Sequence, residues 1–155
     1  MKKYIILSLL LLLFLSCGGD KGDVKKFKSL FVYYNAMPVV EYNIDNKVTN
    51  FIVDTGSDVS IIDDNYYLSH MNSFDFIKNS TSDINTVSGT VTKGVIITDA
   101  LLNDSINVTF YITDIENVKK EVFIKTGKQI DGILGCDFLY DNKAIIDFKR
   151  KELRN

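Results

Sequence analysis

Short hydrophobic runs alternate with polar breaks along most of the chain. From about residue 30 onward the runs are rich in Val, Ile, Tyr, Phe and Thr, and Gly, Asn, Asp or Ser separates them. This composition is typical of β-strands. Strands are predicted at 31–34, 39–42, 48–53, 59–62, 100–102, 106–112, 130–135 and 144–148, and a hairpin with Gly89 at its tip at 84–97. Many short strands with few helices predict an all-β domain, in the form of a closed or nearly closed barrel.

The polar breaks predict turns and short helices. Asp45-Asn46-Lys47 has the composition of a hairpin turn, and Asp104 marks another. Asp63 or Asp64 is suited to cap a brief helix ending near Met71, because a carboxylate accepts hydrogen bonds from the first N–H groups of a helix. Polar turns are predicted at 72–83, a short helix or helical turn at 136–140 and a charged tail at 149–154. The segment 116–125 shows no clear pattern.

The N-terminus has the features of a targeting segment. Lys2 and Lys3 precede an apolar run from Tyr4 to Leu15, which at about 12 residues is too short to span a bilayer. Leu15-Ser16 then leads into Cys17. This order resembles a bacterial lipoprotein signal, which implies that 1–17 is the signal, that Cys17 is lipidated, and that the exported protein is anchored to a membrane of the bacterial cell envelope. An uncleaved anchor with an incidental cysteine is the alternative. A polar, glycine-rich tether is expected at 18–29, and the domain at 30–155.

Composition narrows the possible chemistry. The chain has 155 residues, a formal net charge of −2 and 46% hydrophobic residues, which suits one packed domain. There is no basic excess of the kind that nucleic-acid binding requires, so no nucleic-acid partner is expected. One His and two Cys are too few for a four-ligand zinc site, and no metal is expected.

Asp54-Thr55-Gly56-Ser57 carries the most informative chemistry. The tetrapeptide directly follows the apolar strand Phe51-Ile52-Val53, so the Asp54 carboxylate is expected where the core meets solvent. Gly56 permits a tight turn that brings main-chain N–H groups close to the carboxylate. An Asp followed by Gly at the end of a strand is also an ordinary turn, and the motif alone does not distinguish the two.

Two further elements follow in order. The hairpin around Gly89 comes next, and then Ile133-Leu134-Gly135, about 80 residues after Asp54. The three elements together resemble the retropepsin-like aspartic proteases over roughly residues 36–150. The resemblance implies a closed β-barrel with one short helix, in which Ile133-Leu134-Gly135 passes beside the catalytic loop and the hairpin is a flap over the substrate. It implies catalytic roles for Asp54, Thr55 and Gly56, and substrate contacts from Ser57, Asp58, Ser88, Gly89 and Thr90.

One residue and one segment depart from the retroviral members of that family in ways that bear on the dimer. Cys136 stands where they usually have Arg, so the ion pairs that brace their dimer are not expected here. The tail 149–155 need not form their interlocked terminal sheet. Asp137 falls where they carry a polar residue, and Ser57 falls where many have Ala. The Ser57 hydroxyl is expected to donate towards the catalytic carboxylates.

Aspartic protease chemistry needs two carboxyl groups that share one proton, and this chain has a single Asp-Thr-Gly. The sequence therefore predicts a homodimer in which each subunit contributes Asp54 to an endopeptidase acting on peptide or protein substrates. No metal or organic cofactor is expected. A non-catalytic peptide-binding or adaptor lipoprotein on the same fold is the alternative, and a protease that acts only after assembly with another protein is a third possibility.

Overall fold

The computed structural model describes residues 24–33, 37–86 and 89–155. Its strands are β1 (Lys28–Tyr33), β2 (Val39–Ile44), β3 (Lys47–Val53), β4 (Ile61–Asp63), β5 (Asp75–Thr86), β6 (Gly89–Leu102), β7 (Ile106–Thr113), β8 (Gly132–Leu134), β9 (Ile145–Asp147) and β10 (Glu152–Arg154). Its α-helices are α1 (Asp64–Ser69), α2 (Glu116–Thr126) and α3 (Cys136–Asp141), and a 3-10 turn covers Met71–Ser73.

These strands form one sheet in the order β5-β6-β7-β4-β8-β3-β2-β1-β10-β9. Strand β8 lies between β3, to which it is parallel, and β4, to which it is antiparallel. Val53 pairs with Leu134, and Ile61 pairs with Ile133. The end of β3, the start of β4 and the end of β8 therefore meet at one edge of the sheet, and the loop 54–60 lies at that edge.

The central strands are buried on both faces. In β3, Phe51 belongs to the main core cluster and its neighbour Ile52 to a second cluster. In β8, Leu134 and Ile133 divide in the same way. Helix α2 covers the second face through Val122, which is buried there. Burial on two faces explains why both strands are continuous apolar runs rather than alternating ones.

The predicted turns form where the local sequence favours them. Asp45 and Asn46 have φ values of +50° and +61° between β2 and β3, the conformation of a type I′ hairpin turn, which Asn and Asp tolerate. The Asp63 carboxylate accepts a hydrogen bond from the Tyr66 N–H and caps α1.

The all-β class is confirmed, but two features of the predicted barrel are not. Among the described strands the sheet is open, because its outer strands β5 and β9 are not paired with each other. The described residues contain three α-helices rather than one short helix. The longest of the three is α2, which packs on the sheet. Its apolar residues do not form a helical stripe in the sequence, because Val122 is buried whereas the adjacent Phe123 and Ile124 are exposed.

Three segment predictions also differ from the structure. The segment expected as polar turns is largely β5. Among the described strands β5 pairs with β6 alone, and a strand at the edge of a sheet does not need an apolar sequence. The charged tail contains β10, where Leu153 is fully buried and Glu152 forms a 2.6 Å ion pair with Lys28. The last residues of the expected tether belong to the domain, since β1 starts at Lys28 and Phe27 packs on Phe138.

The targeting segment 1–17, with Cys17, and the first residues of the tether lie outside the described residues. Across the ranges that are described, no helix is both long enough and apolar enough to span a bilayer.

Candidate active site

The Asp54 carboxylate lies directly after β3 and is exposed. The Asp54 N–H donates to the Leu134 carbonyl at 3.0 Å, which extends the pairing of β3 with β8 by one residue. Asp54 therefore begins a loop at the end of a rigid, doubly buried strand. A group fixed in this way is better placed for catalysis than one in a free loop.

A tight turn holds one oxygen of this carboxylate. The Gly56 N–H donates to Asp54 Oδ1 at 2.8 Å, and the Ser57 N–H donates to the Asp54 carbonyl at 3.2 Å. A Cβ on Gly56 would lie 3.1 Å from Oδ1, closer than most side chains tolerate. Gly56 thus brings a main-chain donor to the carboxylate, as its position in the motif predicts.

Gly135 passes beneath the same loop. A Cβ at this position would collide with the carbonyl oxygen of Val59 and lie 2.9 Å from that of Ser57. The next two residues bind the loop, since the Cys136 N–H donates to the Ser57 carbonyl at 2.8 Å and the Asp137 N–H to the Asp58 carbonyl at 3.2 Å. The segment Ile133-Leu134-Gly135 therefore runs beside the Asp54 loop in this structure.

The Asp137 carboxylate anchors the end of the loop at Ser60. Asp137 Oδ2 accepts from the Ser60 N–H at 2.8 Å, and Oδ1 accepts from the Ser60 hydroxyl at 2.7 Å. The Ser60 oxygen in turn accepts from the buried Gly135 N–H at 3.1 Å. Sequence reasoning noted Asp137 only by its position after the glycine and missed Ser60. Their contact joins residues 77 positions apart, and no local pattern marks it.

Three more side chains lie in the loop or contact it. The Ser57 hydroxyl donates to the Val59 carbonyl at 2.7 Å, so the expected donation towards the catalytic carboxylates is wrong for this chain. The Cys136 thiol is free and donates to the Thr55 carbonyl at 3.2 Å. Asp58, expected to contact the substrate main chain, is exposed.

The hairpin predicted around Gly89 is present and longer than expected. Gly89 begins β6 and pairs with Thr86, and Thr90 pairs with Asn85. The paired arms run from residues 75 to 86 and from 89 to 102. Ser88, the third residue expected to contact substrate here, lies outside the described residues.

A second pair of acidic residues, Asp63 and Asp131, lies towards the other end of β3 and β8. Asp63 is fully buried, and its Oδ1 accepts from Lys119 Nζ at 3.1 Å, while its Oδ2 has no hydrogen-bond partner among the described residues. The Asp131 carboxylate accepts from the Asn50 N–H at 2.8 Å. Burial raises the pKa of Asp131 above its ordinary value of 3.8. The Asn50 N–H and the Lys119 charge lower this pKa, and the Asp63 charge raises it.

Asp131 does not supply the second carboxyl group that Asp54 would need from within its own chain. Asp131 is level with Asn50, whereas Asp54 is four residues further along the parallel strand. At about 3.3 Å per residue, the two carboxylates are separated by roughly 13 Å along the strand direction. Within residues 24–33, 37–86 and 89–155, no cluster of three or more His, Cys, Asp or Glu side chains is arranged to hold a metal ion.

A cavity of about 330 Å³ lies between β7 and α3, beside the far end of the loop. Val59 and Asp137 form one wall, and Thr109 and Tyr111 of β7 form part of the other. Asp54 does not line the cavity, and this places the cavity to one side of the carboxylate.

Comparison with known proteins gives one family model and 18 similar chains among solved structures. A family model described as aspartyl protease matches residues 40–138. The retroviral protease-like domain of Ddi1 from Leishmania major is similar at 15% identity, with a TM-score of 0.39, over 76% of this chain and 88% of that one. A retropepsin-like aspartic protease from Rickettsia conorii is similar at 11% identity, with a TM-score of 0.39, over 84% and 87%. No curated protein matches the chain. The family match includes the Asp54 loop, β8 and the first turn of α3.

Proposed function

Because the chain belongs to the aspartyl protease family, we propose that it is an endopeptidase whose water nucleophile is activated by two Asp54 carboxylates, one from each subunit of a homodimer. The observation that carries this proposal is the exposed Asp54 carboxylate at the end of β3, with Oδ1 held by the Gly56 N–H at 2.8 Å. A carboxylate placed in this way is held by its own backbone through one oxygen and is exposed for contact with a second subunit.

The proposed chemistry requires a second carboxyl group about 3 Å away. Two like charges at that distance do not both ionise, so one carboxyl keeps its proton. The ionised member removes a proton from water, and the protonated member donates to the oxygen of the scissile carbonyl. The pair titrates as a unit.

A second subunit is the proposed source of that carboxyl group. The sequence contains one Asp-Thr-Gly, and Asp131 lies at the opposite end of the strand pair. A twofold axis beside Asp54 brings the same residue of both subunits together, as expected for an isologous dimer. The exposure of Asp54 supports this arrangement, since a carboxylate walled off by its own chain has no access to a partner.

The proposed substrate is an extended peptide segment. Substrates of this shape are bound by strand-like main-chain hydrogen bonds, with side-chain pockets that set preference. Asp58, exposed beside the catalytic turn, and the hairpin residues Ser88, Gly89 and Thr90 are the proposed contacts. Ser57 lies in the same turn and is half-buried.

Membrane attachment through Cys17 is part of the proposal. Lys2 and Lys3, the apolar run and Leu15-Ser16-Cys17 support it. Several acyl chains on one cysteine give stable anchoring, because each buried CH₂ adds about 0.8 kcal/mol. In a bacterial host, Cys17→Ser is expected to release the protein from the membrane fraction and to abolish labelling by a fatty acid. A labelled, membrane-bound Cys17→Ser protein would contradict lipidation.

A peptide-library digest tests the enzyme proposal directly. Wild-type protein and Asp54→Asn are incubated with the library from about pH 3 to pH 8, a range that brackets the titration of carboxyl groups. The proposal predicts cleavage by the wild type and none by Asp54→Asn, with both proteins folded. Asp104→Asn, in an exposed turn, is the control and is expected to cleave normally. If the wild type cleaves nothing but retains peptides, the alternative of a non-catalytic binding module holds.

A further inference from the structure

One peptide unit connects a cysteine to the proposed catalytic carboxylate. The Thr55 carbonyl and the Gly56 N–H belong to the same peptide. Its carbonyl accepts from the Cys136 thiol at 3.2 Å, and its N–H donates to Asp54 Oδ1 at 2.8 Å. We propose that Cys136 is a positioning residue for Asp54 and acts through the Thr55–Gly56 peptide. This inference rests on the proposed function of Asp54.

The thiol is itself held in place relative to the loop. Cys136 is the first residue of α3, and its own N–H donates to the Ser57 carbonyl at 2.8 Å. Immediately before it, Gly135 lies against the loop backbone so closely that no side chain fits between them. The backbone of Cys136 is therefore fixed on two sides, and the thiol needs to adopt only one rotamer to reach the Thr55 carbonyl.

The contact orients and polarises the peptide. A peptide plane rotates as a unit, so a donor on the carbonyl resists the rotation that would turn the Gly56 N–H away from Asp54. A hydrogen bond to the carbonyl also strengthens the donor at the other end of the same amide. Both effects keep the Gly56 N–H on Asp54 Oδ1, so the carboxylate proposed to remove the proton from water stays in one position. A thiol is a weak donor, so the expected effect on rate is modest.

The other contacts of the loop do not need the thiol. The main-chain bonds from Cys136 and Asp137, and the carboxylate bonds from Asp137 to Ser60, are made by other atoms. Replacing the thiol alone therefore leaves the loop attached to α3 and changes only the carbonyl of Thr55. This separation makes Cys136 a residue whose substitution reports on positioning and not on folding.

The kinetic test compares Cys136→Ala with Cys136→Ser in the full chain carrying Cys17→Ser. We expect Cys136→Ala to lower kcat about threefold to tenfold, the effect of one modest hydrogen bond, with KM within about twofold of the parent. Cys136→Ser retains a donor and is expected to restore most of kcat. The control is Ser69→Ala, which removes a comparable side-chain hydrogen bond, from the exposed Ser69 hydroxyl to the Asn65 carbonyl in α1, and is expected to leave kcat unchanged. An unchanged kcat in Cys136→Ala, or a Ser variant no better than Ala, overturns the proposal.

A spectroscopic test separates this inference from the proposed function. The ¹³C signal of the Asp54 carboxyl group, assigned with Asp54→Asn, is compared in the same variants. We expect Cys136→Ala to shift the signal and Cys136→Ser to keep it near the parental position. This result does not depend on turnover. If the protein cleaves no peptide but shows the shift, the proposed protease function is disproved and the coupling of Cys136 to Asp54 stands. An Asp54 signal that is identical in the parent and in Cys136→Ala overturns the coupling whatever the activity.

Discussion

The backbone of Val59 crosses directly over Gly135, so that a Cβ on the glycine would collide with the Val59 carbonyl oxygen. The atom in the way is backbone and belongs to the loop that begins at Asp54. Gly135→Ala is therefore expected to push this loop away from β8 and to destabilise the fold by about 1–3 kcal/mol, the usual cost of overpacking.

Urea unfolding measures this loss of stability, and peptide cleavage is expected to fall with it. Gly127→Ala is the matched control, because a Cβ there meets nothing within 4 Å and only its φ of +69° opposes the change. That conformational cost is about 1 kcal/mol, and cleavage is expected to persist. If Gly135→Ala is as stable and as active as the wild type, the close crossing is not essential to the site.

Ser57→Ala is expected to leave the acid limb of the pH–rate profile in place. The Ser57 hydroxyl donates to the Val59 carbonyl, so its proton is directed away from the proposed carboxylate pair. The variant loses one hydrogen bond within the loop, worth about 1 kcal/mol of stability. Cleavage rates from about pH 3 to pH 8 provide the measurement, and an acid limb that moves to higher pH would show that the hydroxyl does donate to the pair.

Lys119→Met is expected to destabilise the protein by about 3–5 kcal/mol, because it leaves the Asp63 charge buried without its ionic partner. Asp63 is fully buried, and Lys119 lies 3.1 Å from it. Lys120→Met is the control, since Lys120 is largely exposed and pairs with Glu116 at 3.5 Å; exposed pairs contribute at most about 1 kcal/mol. Denaturant unfolding at neutral pH distinguishes the two variants. Equal losses would show that burial does not set the strength of the Asp63 pair.

Local chemistry made part of the fold and site predictable. The turn at Asp45 and Asn46, the cap at Asp63 and the tight turn after Asp54 each depend on a few adjacent residues, and each was predicted from the sequence. The resemblance placed Gly135 beside the Asp54 loop, and the structure supplies the reason in the crossing backbone.

The remaining features depend on tertiary contacts. The Ser60–Asp137 and Thr55–Cys136 bonds join residues 77 and 81 positions apart, and nothing local to either partner marks them. The polar sequence of β5 suits a strand paired on one side only, which sequence composition does not distinguish from turns. In α2, Val122 is buried while the adjacent Phe123 is exposed, so hydrophobicity does not show which face packs.

The Asp131 carboxyl is expected to make stability depend on pH. Burial raises the pKa of folded Asp131 above its ordinary value of 3.8. Between pH 3.8 and the raised pKa, the folded state therefore binds more protons than the unfolded state. The contribution of the carboxyl is fully present below pH 3.8 and is lost as pH rises through the raised folded pKa. The stability of wild type minus that of Asp131→Asn should therefore fall with increasing pH from about 4 upward. Urea unfolding of both proteins at a series of pH values measures this difference, and a difference that rises with pH would reverse the assignment.

The central claim, that each subunit supplies one Asp54 to a shared site, is tested most directly by mixing subunits. Wild-type protein is refolded from urea with increasing amounts of Asp54→Asn, and cleavage of a saturating peptide is measured per wild-type chain. A mixed dimer has one carboxyl group and is inactive, so random pairing predicts activity of about one half at equal amounts and about one tenth at a ninefold excess of the variant. Activity per wild-type chain that stays constant at every ratio would show that a single chain carries a complete site, and would contradict the claim.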